Sequence, residues 1–262
     1  MKGKKMGKLK NFYRKHERKA FYLLIAVFAS VGIYSGGKIV IHKYQEKKAA
    51  ESFSSLSQLV SEPQSTPETE EAPKTPREVY ADVIAQNSDF VGWLEIEDTT
   101  LSYPVVQSEI HDYYLRRGFD KKYSYYGVPY ATEICDVETS DNVVIFGHNM
   151  NNGTMFGTLE KYLSKSFYDE HKYIKFNTLE GFKTYEVIAV LKTVAYSETE
   201  FEYFRFESGT KEEFEQYVAK CKELSVLDIE TTAEYGDKLI TLSTCEYSQN
   251  HGRLAVVAKL VK

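Results

Sequence analysis

From Phe21 to Ile41 the chain runs through apolar residues broken only by small or weakly polar ones and by Lys38. No other feature restricts so sharply what this chain can fold into. The run is about as long as a helix must be to cross a bilayer, and Lys38 sits where its ammonium can reach the interface. Ahead of it, residues 1–20 carry nine Lys and Arg against the single acid Glu17, a net charge of +8. The rest of the chain holds 24 basic and 37 acidic residues, net −13. Basic residues stay on the cytoplasmic side of a membrane helix. The reading is therefore a basic cytoplasmic segment over 1–20, a single transmembrane anchor over 21–41, and the bulk of the chain outside the cell. A cleaved signal peptide would have a shorter apolar region ending in a small-x-small site, so an uncleaved anchor is preferred. An acidic outer portion also argues against nucleic-acid binding.

Four of the six prolines (Pro63, Pro67, Pro73, Pro76) fall within Ala50 to Arg77, a stretch rich in Ser, Thr and Glu. Such composition does not bury enough apolar surface to fold. Residues 42–77 are thus expected to be a disordered extracellular tether, the Pro-rich part spanning roughly 30 Å by flexible-chain scaling. Residues 78–262 suffice for one domain with its own core. Short alternating segments recur at Val91–Ile96, Ser102–Gln107, Asn142–Phe146, Tyr173–Phe176, Lys183–Val194, Leu239–Cys245 and Arg253–Val261. Their spacing predicts a mostly β fold, a barrel or sandwich, and not βαβ units. Helices are expected over Arg77–Gln86, Thr154–Leu163 and Thr210–Leu224, the last opened by the capping-box pair Thr210 and Glu213.

Within this frame one strand carries chemistry. Thr241, Ser243 and Cys245 share one face of Leu239–Cys245, and a polar loop ending in Gly252 leads to Arg253. If the two runs pair antiparallel, the Cys245 thiol and the Arg253 cation meet at the same end of a hairpin. A Cys in an apolar strand is more often inert, and an Arg opening a strand is more often solvated. The pattern gains force from Gly147-His148-Asn149, which follows the strand Asn142–Phe146. Of six histidines, His16 and His42 flank the anchor, while His111 and His171 sit in polar, loop-like surroundings. His148 is preferred over its rival His251, because barrel sites are built at the mouths of buried strands. Three cysteines cannot all pair. Cys221 lies on an apolar helical face, Cys135 has no supporting chemistry, and a Cys135–Cys221 disulfide stays open. No CxxC or His/Cys cluster signals a metal, so no metal and no cofactor are expected. The acidic residues Glu198, Glu200, Glu202 and Glu207 read as a solvated loop in preference to a weak Ca²⁺ site.

Thr241-Leu242-Ser243-Thr244-Cys245 with Arg253, and Gly147-His148-Asn149-Met150 followed by Gly153-Thr154-Met155-Phe156-Gly157, resemble the class B sortases. Phe90-Val91-Gly92-Trp93-Leu94 and Tyr113-Tyr114-Leu115 leading to Phe119-Asp120 add to the likeness, which runs from about residue 78 to 262. The Tyr-rich segment Tyr123–Tyr130 departs from the family pattern, and Phe146 stands where a tyrosine is expected. The resemblance implies an eight-stranded barrel with peripheral helices, held at the membrane of a Gram-positive bacterium. It implies a transpeptidase that cuts a C-terminal sorting motif after its threonine and joins the protein to a cell-wall amine. Partners would be sorting-motif proteins and peptidoglycan or a precursor, and class B members often serve haem or iron acquisition. By matching positions, Cys245 is the nucleophile, His148 the acid/base, and Arg253 the holder of the substrate carbonyl. Ser243 and Glu246 follow as secondary substrate-binding candidates.

The chemistry can be weighed independently. A thiolate must attack a carbonyl and an imidazolium must protonate the departing amine. At reference pKa values, roughly 3% of thiols and about 25% of imidazoles are in those forms at pH 7. Independent titration would leave below about 1% of molecules correctly protonated, so either the pair is perturbed or the enzyme works through a minor state; the second is favoured. Two other classes stay open: a cell-envelope cysteine hydrolase using water, and a tethered binding or scaffold protein whose Cys is incidental.

Overall fold

The computed structural model describes residues 2–60, 74–194, 201–248 and 250–261. Its alternating segments become strands that close on one another. In chain order these are β1 (Phe90–Glu95), β2 (Ser102–Gln107), β3 (Tyr130–Ala131), β4 (Asn142–Phe146), β5 (Tyr173–Thr178), β6 (Thr184–Val194), β7 (Leu239–Cys245) and β8 (Gly252–Leu260). They form a closed barrel in the order β1-β2-β3-β4-β7-β8-β6-β5. Closure removes every strand edge. Two of the pairings are parallel, β2 with β3 and β4 with β7. The expected eight-stranded barrel is present. β3 was not among the alternating runs, because at two residues it carries no periodicity to detect.

Two apolar layers hold the barrel. Leu242 of β7 stands opposite Val256 of β8, and Ile240 opposite Ala258, all buried in the main core. The other face of the same strands presents Leu239, Ala255 and Val257 to a second cluster. That cluster is completed by Phe214, Tyr217, Val218 and Cys221 of the helix Lys211–Glu223. The helix starts where expected: Glu213 Oε2 accepts from Thr210 N at 2.8 Å and Thr210 Oγ1 accepts from Glu213 N at 3.3 Å. The face of β7 bearing Thr241 and Ser243 is therefore covered for most of its length. Only the end of the strand, at Cys245, is left half-buried.

Other helices differ from expectation in ways the packing explains. Arg77–Gln86 is two helices, Pro76–Val79 and Ala81–Gln86, broken at Tyr80. The Tyr80 ring is buried against Phe90 and stacks on Trp93 at 6.3 Å, so tertiary contact outweighs helix continuity. The segment expected as a helix at Thr154–Leu163 is a 3₁₀-helix over Phe156–Leu163. It is followed by an unanticipated short helix, Lys165–Glu170.

Lys2 to Val60 is one continuous helix. Phe21–Val60 is long and apolar enough to cross a membrane by length and composition, and it includes the expected anchor. The chain separates into two compact units, 1–48 and 49–262. The tether is corrected here: residues 42–60 are helical, and residues 61–73 lie outside the described residues. The polar composition of 49–60 conceals a sparse apolar face. Phe53 and Leu56 are buried in the main core, Phe53 meeting the Tyr103 ring edge-on at 5.1 Å. Burying such side chains outweighs the weak propensity signal.

The compact unit that holds the barrel therefore begins at Ala49, not at residue 78. Leu56→Ala is expected to cost about 2–3 kcal/mol. A fragment of residues 74–262 should unfold at lower urea than one of residues 49–262. Equal urea midpoints would show that the helix end adds nothing to the barrel.

Candidate active site

β4 and β7 run parallel, Asn142 beside Leu239 through to Phe146 beside Ser243. Both strands therefore leave the barrel at the same rim, although about a hundred residues separate them in sequence. Past the ladder the two exits remain tied together. Gly147 N donates to the Ser243 carbonyl at 3.1 Å, Thr244 Oγ1 donates to the Gly147 carbonyl at 2.7 Å, and Asn149 Nδ2 donates to the Cys245 carbonyl at 2.8 Å. Glycine is required at 147, since a Cβ there would lie 2.5 Å from the Phe156 ring. β8 returns antiparallel to β7 with Arg253 directly opposite Cys245. In such a pair both side chains point to the same face of the sheet.

Cys245, His148 and Arg253 all line one cavity of about 710 Å³. The wall combines apolar residues, among them Leu115, Phe146 and Phe204, with charged ones such as Asp112, Glu133, Glu202 and Arg205. His251, the rival histidine, is exposed and is not part of this wall. Ser243 does line it, yet its Oγ is buried and shares a 2.7 Å hydrogen bond with the Tyr203 hydroxyl. Glu246 is not part of the wall. Its carboxylate turns to the β7–β8 loop, accepting from Ser248 N at 3.0 Å and Ser248 Oγ at 2.8 Å, and pairs with Lys192 at 3.3 Å.

His148 is half-buried, and its Nε2 lies 2.9 Å from the Leu115 carbonyl. A carbonyl only accepts, so Nε2 carries a proton and Nδ1 is the atom that exchanges one. The Leu115 carbonyl is approached closely by Gly127, where φ is +58° and a Cβ would lie 2.8 Å from that oxygen. Burial pushes the imidazole below its ordinary value; the Leu115 bond opposes this and the Arg116 charge adds to it. The three thiols have different surroundings. Burial raises the Cys135 thiol, and it pushes Cys221 up to about 12. Both are buried and inert, and all three cysteines are free, so the open disulfide question is answered: Cys135 and Cys221 do not pair. Cys245 alone among them is half-buried and faces the cavity.

Sequence reasoning did not assign roles to the Leu115 carbonyl, the Tyr203 hydroxyl or the Asn149 amide. A backbone carbonyl carries no residue-type signal, and Tyr203 reaches Ser243 only through the fold. Asn149 was visible beside His148, but its target is a carbonyl on another strand. Among the described residues no group of three or more His, Cys, Asp or Glu is arranged to hold a metal. Glu202 pairs with Arg205 at 2.8 Å and Glu207 accepts from Ser140 at 3.1 Å, while Glu198 and Glu200 lie outside the described residues.

Comparison with known proteins converges on one group. The family model described as "Sortase domain" matches residues 94–261. Sortase B of Listeria monocytogenes is 33% identical over 248 residues, 91% of this chain and 95% of the relative. Sortase B of Staphylococcus aureus is 33% identical over 181 residues, 67% of this chain and 72% of the relative. Among solved structures, a Staphylococcus aureus sortase B–substrate complex superimposes with a TM-score of 0.74 at 28% identity, covering 84% of this chain and 99% of that one. A sortase B complexed with Gly3 gives 0.72 at 28% identity, covering 83% and 99%.

The depressed imidazole sets a pH dependence. Unfolded, His148 takes up a proton near pH 6.5; folded, it does so only at lower pH. Its contribution to stability is thus full above about pH 6.5 and is lost as pH falls through the folded value. His148→Gln should therefore lose less stability than the parent between pH 7.5 and pH 5. Equal losses in urea midpoint would refute the assignment.

Proposed function

The chain belongs to the sortase family of cysteine transpeptidases, and from that premise we propose that Cys245, His148 and Arg253 carry its reaction. The observation behind this reading is the pairing of Cys245 with Arg253 across β7 and β8 on a cavity that His148 also lines. In the proposed sequence a C-terminal sorting motif lies in that cavity. The Cys245 thiolate attacks the carbonyl of the motif's threonine. The developing oxyanion is held by the Arg253 guanidinium, which stays charged and donates in a fixed fork. His148 Nδ1 protonates the departing amine, leaving a thioacyl-enzyme. An incoming amine of peptidoglycan or its precursor then attacks the thioacyl carbon and gives its proton back to Nδ1. The thiolate departs, and the sorted protein is joined to the wall by an amide bond. The names of the solved relatives, one in complex with substrate and one with Gly3, agree with a peptide donor and an amine acceptor.

Burial of His148 bears on the protonation state. It makes the imidazolium scarcer at neutral pH than in a free histidine, which supports work through a minor thiolate–imidazolium population. A slow enzyme suits a task that needs few turnovers per exported protein. In the proposed topology the basic segment 1–20 is cytoplasmic, residues 21–41 span the membrane, and residues 49–262 act outside the cell. Ser243, held by Tyr203 at the cavity wall, positions the groove; Glu246 braces the loop after the nucleophile. The alternative is a hydrolase of the envelope that passes the same thioacyl group to water.

Mass spectrometry of the protein incubated with threonine-containing sorting peptides and a panel of amines tests this directly. Ligated peptide, cut after threonine, is the expected product; hydrolysed peptide alone would favour the alternative. Cys245→Ala should abolish both products. Arg253→Lys should lower kcat by about a hundredfold or more, as losing one oxyanion donor does elsewhere. Near-normal turnover in Arg253→Lys would reduce that residue to a structural role.

A further inference from the structure

The segment that carries His148 folds back on itself before the chain enters the 3₁₀-helix at Phe156. Asn149 pairs with Met155 in an isolated antiparallel bridge, and Phe156 N donates to the His148 carbonyl at 3.1 Å. Met155 closes this loop at φ +53° and ψ −133°, a conformation that L side chains rarely adopt. A residue keeps such a conformation only where its surroundings over-determine it, and such residues gather at functional sites. One of the contacts that hold Met155 comes from outside the loop. Met155 N donates to the Tyr103 hydroxyl oxygen at 3.0 Å, and both residues are buried.

Tyr103 lies on β2 and is not part of the cavity wall. Its ring meets that of Phe53 edge-on at 5.1 Å, near the end of the long helix Lys2–Val60. A phenylalanine ring would fill the same part of the core. The hydroxyl adds an acceptor for a buried backbone N–H, a group that is costly to leave unpaired. The turn before β2 adds a second hold, as Thr100 Oγ1 donates to the Gly153 carbonyl at 3.0 Å.

Contacts therefore run in series from Phe53 to Tyr103, from Tyr103 to Met155, and from Met155 and Phe156 to the backbone of Asn149 and His148. Asn149 in turn donates to the Cys245 carbonyl at 2.8 Å. His148 is thus fixed at its ring by the Leu115 carbonyl and at its backbone by this series. We propose that Tyr103 is a positioning residue for His148, seated by the Phe53 end of the long helix, so that docking of the helix sets where the imidazole stands relative to Cys245. This rests on the reading of Cys245 and His148 as a transpeptidase pair and adds what holds the imidazole in place. Neither Tyr103 nor Phe53 touches substrate. A loop freed from Tyr103 carries Nδ1 away from the departing amine. It also admits water to an imidazole that burial holds below its ordinary value, so protonation moves back up.

The test uses the full chain in detergent micelles, a threonine-containing sorting peptide as donor and triglycine as acceptor. Rates are taken per folded chain, from near-ultraviolet circular dichroism of the same sample. Tyr103→Phe keeps the ring against Phe53 and removes only the acceptor for Met155 N. The expected kcat is lower by about tenfold or more, since a displacement of about 1 Å can cost roughly a hundredfold, while the donor KM is unchanged. The acid limb of kcat/KM against pH should move up, toward about pH 6.5. Phe53→Ala should act in the same direction and add little when combined with Tyr103→Phe. An unchanged kcat in Tyr103→Phe, or a fall in kcat with an unmoved acid limb, overturns the positioning role. A double variant in which the two losses multiply does so as well. Those outcomes leave the transpeptidase reading intact. A parent reaction whose ligated product survives His148→Ala overturns that reading and the positioning role with it.

Discussion

The parallel pairing of β4 with β7 is the constraint on which the site depends. Parallel strands end at the same edge of a sheet, and in this barrel that brings the segment after Phe146 beside the segment after Ser243. Three hydrogen bonds beyond the ladder, from Gly147, Thr244 and Asn149, then hold the two exits in register. The antiparallel return of β8 adds Arg253 opposite Cys245. An imidazole, a thiol and a guanidinium thus reach one cavity from the ends of three strands that backbone pairing holds together. Sites built on rigid elements hold their geometry more closely than sites on loops.

Burial divides the work among groups of one kind. Three thiols are present, and desolvation raises two of them out of useful range while the third stands half-buried at a strand end. Of the two candidate histidines, His148 is held by a backbone carbonyl on the cavity wall, and His251 is exposed and outside it. The outer face of β7 follows the same logic. Its hydroxyls are satisfied by tyrosines and Asn142, Thr241 with Tyr217 and Asn142, Ser243 with Tyr203. That polar lacing lets a strand with Thr and Ser on its outer face be buried on both sides without orphaned groups.

The helix that carries the apolar run extends further than composition suggests. Ser, Glu and Lys dominate residues 45–59, and a pattern reading assigns them to a tether. Phe53 and Leu56 overturn this, because two apolar side chains one turn apart suffice to dock a helix end when the barrel offers a site beside Tyr103. Propensity and composition are local, whereas the free energy of burial belongs to the pair of surfaces.

By itself the sequence determined a run long and apolar enough to cross a membrane, the mostly β character of the domain, the capped helix at Thr210, and Cys245, His148 and Arg253 as candidates. These rest on local signals: an apolar run, period-two alternation, a capping pair, and motifs read off directly. Only the tertiary structure decided the two-residue strand β3, the break at Tyr80, the helical course of 42–60, and the surroundings of each candidate. It separated Ser243, at the cavity wall but engaged by Tyr203, from Glu246, turned toward Ser248 and Lys192. It also joined Asn149 to the carbonyl of Cys245 and to Glu160. The physical reason is common to all of these. Each depends on a contact between residues far apart in the chain, or on water being excluded from one side chain and not another, and neither is written in local pattern.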